Sequence, residues 1–332
     1  MGIPERGQKR LGSIRGTVWR PDYSDGLLRL VEWFHGSDET KKRAVIMVAF
    51  CMHAEGIGEL CLWGTVGRRR VMPCRAFLLD GLLVDTCHRR GREAFLEWLG
   101  VRRVSQAVLT HHHEDHAGNA SLLNAQGIVV QAHPLAAAPL AERRPLPFFE
   151  WVVWGSPEPT AIIPVPSRIE TGRYTFRVVY TPGHTRDHIV LLEEKEGWLF
   201  SGDLFLGDRL LYLRRDEDLR QLLASLEKVL ALDFGVIFCA HRGRVGDGHT
   251  MLARKRDFLR ELITRVHELH RAGYGEKEIT GRLLGCEGGM TWASLGVFSK
   301  RRLVHRILQL EDPPGHRTGG GNVVGGAGRA GS

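Results

Sequence analysis

Between Thr110 and Gly118 the chain reads Thr-His-His-His-Glu-Asp-His-Ala-Gly, with four histidines and two carboxylates in the six positions His111 to His116. The run before it, Val104 to Leu109, is apolar enough to be a buried strand. Gly118 then opens a short predicted helix, Asn119 to Gln126. The cluster therefore sits on a loop at the carboxyl end of a strand, where α/β sheets usually carry their chemistry. A loop lets several side chains converge on one point, and neutral imidazoles and carboxylates are ligands of Zn²⁺ and related divalent ions. His111 and His113, being alternate residues, can face one ion, and Asp115 and His116 a second. The competing reading is a solvated polar loop, or a histidine run of the tag kind.

Three later segments decide between these readings. Thr181-Pro182-Gly183-His184-Thr185, Ser201-Gly202-Asp203 and Ala240-His241-Arg242-Gly243 each follow an apolar, strand-like run, namely Phe176 to Tyr180, Trp198 to Phe200 and Val236 to Cys239. Each offers one further ligand from a strand end. Four independent ligand-bearing strand ends in one chain are hard to reconcile with coincidence.

In this order the residues resemble the metallo-β-lactamase superfamily. Its His-x-His-x-Asp-His motif falls on His111, His113, Asp115 and His116, and its later ligands fall on His184, Asp203 and His241. The resemblance spans about residues 57 to 250. It implies an α/β chain folded as a four-layer αβ/βα sandwich. It implies that His111, His113 and His184 hold one ion, that Asp115, His116 and His241 hold a second, and that Asp203 bridges both. Zinc is the ion expected, with iron or manganese as alternatives, because nitrogen and oxygen ligands do not separate the three. A hydroxide shared by the two ions, from a water whose pKa is brought to ~7, would be the nucleophile, and Asp115 would orient it as the catalytic carboxylate. His112 and Glu114 alternate with the ligands and should point away. His188 and Asp187 resemble features that support the ligands from behind. Asp85, which ends its own strand, either orients a metal-binding histidine or serves as a turn residue.

Thr110 to His116 also resembles the motif of glyoxalase II, a thioester hydrolase. That branch carries a Gly-Cys-Gly-Arg-type segment soon after its Gly-Asp, whereas Gly202-Asp203-Leu204-Phe205-Leu206-Gly207 runs straight into Asp208-Arg209. Thr181 to His188 and Ser201 to Gly207 look closer to the lactamase-like hydrolase branch with a C-terminal helical appendage. Antibiotic hydrolysis is disfavoured, because true β-lactamases lack the Asp203-type bridge. The flavin-linked diiron members are disfavoured because no flavodoxin-like domain follows. The reading is a dinuclear metal-dependent hydrolase that cleaves an ester or thioester of a small metabolite. Its rivals are an endoribonuclease-type phosphodiesterase acting on single-stranded RNA and a non-catalytic metal-binding protein, which would not need all seven ligands.

Around this centre the chain divides into four. Residues 1–56 carry no motif and are taken as an N-terminal extension. One explanation is a gene start placed too early, with Met47 or Met52 the true first residue. Ala44 to Cys51 is an apolar run behind Lys41-Lys42-Arg43. It falls short of the ~20 residues of a membrane span and lies too deep for a secretory signal, so a core strand or short helix is expected there. Residues 57–250 form the catalytic domain. Its predicted strands include Gly58–Val66, Val71–Leu79 and Leu82–Asp85, with Asp80-Gly81 as a hairpin turn. A helix follows at Arg92–Leu99, then a Pro-rich aromatic loop, Pro145 to Pro166, beside the site, and an amphipathic helix at Asp216–Leu232.

Residues 251–312 are expected as a helical, winged-helix-like appendage with helices Met251–Ala272, Glu276–Leu284 and Ser299–Leu310. Between Arg254 and Arg306 it holds 12 Lys/Arg against 6 Asp/Glu, a candidate contact for nucleic acid, a homodimer partner, or a packing buttress. His267 and His270 lack a third ligand and are read as surface residues. Residues 313–332 are a Gly-rich tail, predicted disordered. The net charge of +8 over 332 residues fits an acidic metabolite or nucleic acid as partner. Six scattered cysteines with no Cys-x-x-Cys pair argue against a zinc ribbon or a disulfide framework and suit a reducing cytoplasm. Cys87, close to the motif, is expected to be a buried, inert thiol.

Overall fold

A computed structural model of the chain describes residues 29–33, 46–66, 69–100 and 102–310. The Gly-rich segment 313–332 lies outside the described residues. Among them, eight strands form a first sheet in sequence order: β1 (Arg29–Trp33), β2 (Ile46–Met52), β3 (Gly58–Val66), β4 (Arg69–Leu79), β5 (Leu82–Val84), β6 (Gln106–Val108), β7 (Val129–Ala132) and β8 (Ile163–Pro164). Neighbours are antiparallel up to β5 and parallel from β5 to β8. Asp80 and Gly81 turn β4 into β5 with φ of 44° and 82°, as a two-residue hairpin requires. The second sheet runs β14 (Gly243–Val245), β13 (Val236–Cys239), β12 (Trp198–Gly202), β11 (Ile189–Glu193), β10 (Thr175–Tyr180), β9 (Arg168–Glu170).

Strand alternation builds the layers, because successive side chains leave opposite faces. On the inner faces Phe77, Leu79, Leu82 and Val84 meet Ile189, Leu191, Phe200 and Phe238 in one cluster between the sheets. Phe200 stacks on Phe238 with ring centroids 5.0 Å apart, and Phe77 meets both edge-on. On the outer face of the first sheet, Cys74, Ala76, Leu78 and Leu83 pack against α1 (Arg92–Leu99) and α2 (Ala120–Asn124). The outer face of the second sheet offers Val190, Leu192, Leu199 and Ile237. These pack against α5 (Leu219–Leu230) and α6 (Gly248–Arg271). The result is the four-layer αβ/βα sandwich. The short helix α3 (Ala137–Ala141) precedes the Pro-rich segment, and α4 (Phe148–Val153) lies within it.

Two expected boundaries do not match the structure. The sheet does not begin at residue 57: β2 pairs with β3 from Met47↔Trp63 to Met52↔Gly58, and Val48 is fully buried. A chain starting at Met52 would lose that strand. Nor is the C-terminal region separable at residue 251, which falls inside α6. α7 (Glu276–Leu284), α8 (Gly289–Ala293) and α9 (Lys300–Leu308) follow. Leu259 and Val266 of α6, Ile279 of α7 and Leu303, Val304 and Ile307 of α9 belong to the same core as the second sheet. His267 is buried rather than at the surface, because it lies on the α6 face that carries Leu259, Leu262, Ile263 and Val266. Among the described residues no helix is long and apolar enough to cross a membrane.

Candidate metal centre

Asp85 organises the histidine loop. Its Oδ1 accepts Thr110 N at 2.7 Å and its Oδ2 lies 2.8 Å from His116 Nδ1, so one carboxylate anchors both ends of the loop. Thr86 closes it from below, with Thr86 N and Oγ1 donating to His116 O at 2.7 and 2.8 Å. Gly118 makes the turn fit, since a Cβ there would come within 2.5 Å of Arg89 N and Cys87 O. Cys87 is buried, and burial pushes its thiol up from the ordinary range.

The structure brings all seven expected side chains together, each buried. His113 Nδ1 lies 2.9 Å from His111 Nε2 and 3.0 Å from His184 Nε2. Asp203 stands between this group and the next, with Oδ2 3.2 Å from His184 Nε2 and Oδ1 3.2 Å from His116 Nε2 and 3.1 Å from His241 Nε2. Asp115 Oδ2 lies 3.5 Å from His241 Nε2. Three groups of ligand atoms each lie within 4.8 Å of one another: His111/His113/His184, His111/His116/Asp203 and Asp115/His116/His241.

These residues fit a pair of divalent ions. His113 Nδ1 has one lone pair or one proton to offer and faces both His111 Nε2 and His184 Nε2, so the three inward nitrogens cannot all be satisfied by one another. Four ligands at zinc distances would be about 3.3 Å apart, close to the spacings here. His116 Nε2 and Asp203 Oδ1 are buried with no aligned hydrogen-bond partner among the described residues.

The outward ring nitrogens are held by neighbours, which orients the candidate ligand rings. His184 Nδ1 meets Glu217 Oε1 at 2.7 Å, His241 Nδ1 meets the Pro73 carbonyl at 2.5 Å, and His111 Nδ1 meets Thr110 Oγ1 at 3.1 Å. His188 Nε2 accepts Asp203 N at 3.0 Å and its Nδ1 meets Thr181 Oγ1 at 2.8 Å, so it holds the ligand-bearing backbone. His112 turns outward onto Asp187 at 2.8 Å. Glu114 also leaves the cluster but is buried beside Glu150, which pairs with Arg214 at 3.0 Å. Burial, with Asp115 and Glu150 nearby, pushes the Glu114 carboxyl up to about 8. Burial opposes ionisation of Asp203, but His241, His116 and His184 outweigh it and hold the carboxyl well below its usual range. Burial likewise opposes charge on His184, yet Asp203 and Glu217 raise it to about 9. His113 is pushed down to about 3 by burial and by Arg214.

Glu217, the Pro73 carbonyl and the Arg75–Glu59 pair were not readable as site features. Arg75 donates from Nε to Glu59 at 2.7 Å and from Nη1 to His241 O at 2.5 Å. The acid run Asp216-Glu217-Asp218 at the head of α5 is the one signal that could have drawn attention to Glu217.

A chamber of about 230 Å³ opens onto His113, Asp115, His184, Asp203 and His241. Met72, Trp154, Leu210, Met290 and Phe298 give it apolar walls. A larger cavity of about 710 Å³ adjoins it, walled in part by Pro145, Leu146, Pro147 and Phe148 of the Pro-rich segment.

Two face-to-face sheets with helices outside carry, at their strand ends, a buried histidine–aspartate cluster that could hold metal ions. Residues 69–241 match the family model of the metallo-beta-lactamase superfamily, and the chain belongs to that superfamily. Among curated relatives, it is 32% identical over 147 residues to a beta-lactamase-like protein 2 homolog of Drosophila melanogaster, covering 42% of this chain and 44% of the relative. It is 27% identical over 188 residues to an atrochrysone carboxyl ACP thioesterase of Aspergillus fumigatus, covering 54% of each. A hydroxyacylglutathione hydrolase of Legionella pneumophila is 29% identical over 136 residues, 40% of this chain and 46% of the relative. The chain thus spans about half the length of the curated relatives it matches. A solved metallo-beta-lactamase family protein of Thermus thermophilus shares the fold with a TM-score of 0.56 at 21% identity, covering 76% of this chain and 93% of that one.

Proposed function

We propose that this chain is a dinuclear metal-dependent hydrolase whose substrate is a thioester. The observation that carries the reading is the two-sided Asp203 carboxylate, with one oxygen toward His184 and the other toward His116 and His241. His111, His113 and His184 would hold one ion, Asp115, His116 and His241 the other, and Asp203 would be common to both. Bound there, such ions supply Lewis acidity and lower the pKa of water to ~7. Zinc suits the set, and iron or manganese would also be accepted by nitrogen and oxygen ligands.

The protein's part is positional. Asp115 is held ionised: burial opposes this, but His116 and His241 outweigh it. Its carboxylate accepts a hydrogen bond from the attacking water and aims it. The apolar chamber walls exclude bulk water and receive the acyl group. A thiol departs readily as thiolate, with an ordinary pKa of about 8.5, so the leaving group needs little help from a proton donor. The names of two relatives, a thioesterase and a hydroxyacylglutathione hydrolase, support the same substrate class.

The rival nuclease reading, with RNA gripped by the C-terminal helices, is weakened by where their cations go. Arg260 pairs with Glu227, Arg282 with Glu278 and Arg301 with Glu276. Lys255 is buried on Leu204 O, and Lys300 donates to Leu284 O. The test is metal analysis of the purified protein together with ester, thioester and phosphodiester substrates. About two ions per chain with thioester turnover is expected. Cleavage of single-stranded RNA without thioester turnover would overturn the reading.

A further inference from the structure

Three cavities share walls in sequence. The metal-side chamber and the 710 Å³ cavity have His113 and Arg214 in common. The middle cavity is lined by Leu140, Leu146, Phe148, Leu295 and Val297 together with Glu114, Glu142, Glu150 and Glu158, so it offers apolar surface and no net positive charge. It shares His112, Pro139, Arg144, Arg215 and Asp216 with a third cavity of about 850 Å³. That outer cavity is lined by five arginines, Arg144, Arg186, Arg215, Arg220 and Arg306, all exposed.

The acids in its wall are already engaged. Asp187 meets His112 at 2.8 Å, Asp216 pairs with Arg214 at 3.2 Å, Glu217 holds His184 at 2.7 Å, and Asp218 caps α5 by accepting Gln221 N at 3.0 Å. Among the described residues, Arg144, Arg186 and Arg215 have no carboxylate within 4 Å, and Arg220 is opposed by the nearby Asp218, which also caps α5. The crowding is felt nearby, where burial and the Arg215 and Arg306 guanidiniums push Arg302 below its usual range. The first turn of α5, Leu219 to Gln221, forms part of the same wall and adds the positive end of a 12-residue helix. Guanidinium forks match phosphate oxygens two at a time, and five of them suit a group with more than one phosphate better than a single carboxylate.

Resting on the thioester reading above, we infer that the outer cavity receives the phosphates of the substrate's thiol carrier. The middle cavity takes an uncharged arm, and the metal-side chamber takes the acyl group. The substrate class is then an acyl thioester of a phosphorylated, nucleotide-type carrier. The 230 Å³ reactive chamber, walled by Met72, Trp154, Leu210, Met290 and Phe298 and edged by Arg209 and Arg214, receives the acyl chain.

The test uses the full-length, metal-loaded protein and one acyl group on three thiols: coenzyme A, glutathione and N-acetylcysteamine. The coenzyme A thioester should have a kcat/KM roughly tenfold or more above the N-acetylcysteamine thioester, as one or two charge-assisted contacts would give. The double variant R215Q/R220Q should shrink that ratio, and R215K/R220K should retain part of it. A purely structural role would lower both substrates together and leave the ratio unchanged. Calorimetric titration with adenosine 3′,5′-bisphosphate reads the cavity without turnover, and binding should weaken in R215Q/R220Q and with added salt. Equal rates on all three thioesters, or no binding of the bisphosphate to the unmodified protein, would overturn the inference and leave the thioester reading standing. Arginine-dependent bisphosphate binding with no turnover of any thioester would uphold the phosphate site and sink the thioester reading. Salt-steep binding and cleavage of single-stranded RNA in place of thioester turnover would overturn both.

Discussion

The Asp85 carboxylate reaches His116 Nδ1 at 2.8 Å while also accepting the Thr110 amide, so a residue 31 positions earlier sets the direction of the His116 ring. Asp85→Asn offers an amide N–H in its place, which favours the tautomer with a proton on Nε2, the atom that should face the ion. Metal affinity should fall about 10–100-fold. A chelator-competition titration measures this. Unchanged affinity would mean that Asp85 serves the loop backbone alone.

Asp203 is the carboxylate common to both halves of the centre. Asp203→Ala should reduce bound metal well below two ions per chain and lower kcat roughly 10²-fold or more. Metal content by mass spectrometry and steady-state kinetics check this together. Retention of both ions would refute the bridging role.

The pH dependence of the metal-free protein follows from opposed shifts. His184 is raised to about 9 and Glu114 to about 8, so the stability they give at low pH is lost as pH rises through those values. His113 and His188 are depressed to about 3, so their contribution is present above the ordinary histidine value near 6.5 and lost as pH falls toward 3. Urea unfolding of chelated protein should therefore show greatest stability near neutral pH, declining on both sides. A monotonic rise toward pH 9 would contradict the His184 and Glu114 assignments.

Gly118 is enclosed by backbone: an added Cβ would meet Arg89 N, Cys87 O and Glu114 O at 2.5–2.6 Å. Gly118→Ala should destabilise by about 1–3 kcal/mol or more and lower metal affinity with it, because the same loop carries His111 to His116. Denaturant midpoints with and without zinc would test this. A silent substitution would show that the loop relaxes freely.

Removing residues 1–51 takes away β1 and nearly all of β2, uncovering the β3 edge beside the fully buried Leu60 and Leu62. The shortened protein should melt lower and aggregate, since an unpaired strand edge is a template for association. A soluble, equally stable product would support Met52 as a sufficient start.

The seven candidate ligands could be picked out from the sequence because each lies within a few residues of the strand that carries it. The features that aim them were not, because they come from far along the chain: Glu217 reaches His184 across 33 positions, and Pro73 reaches His241 across 168. β2 was ambiguous for another reason, since a short apolar run fits strand or helix equally well. α5 begins at Leu219 rather than Asp216 because Asp218 caps it, which leaves Asp216 and Glu217 free to turn toward the site. The burial of His267 depends on helix-to-core packing that no local pattern reveals.

The last helix closes the same core that supports the strands bearing Asp203 and His241. Synthesis proceeds from the N-terminus, so a nascent chain exposes every candidate ion-binding side chain before Leu303, Val304 and Ile307 have been made. Until those three residues leave the ribosome, the second half of the centre rests on an unfinished wall. Premature termination ahead of α9 should therefore yield a protein that carries all the ligands and still holds metal poorly.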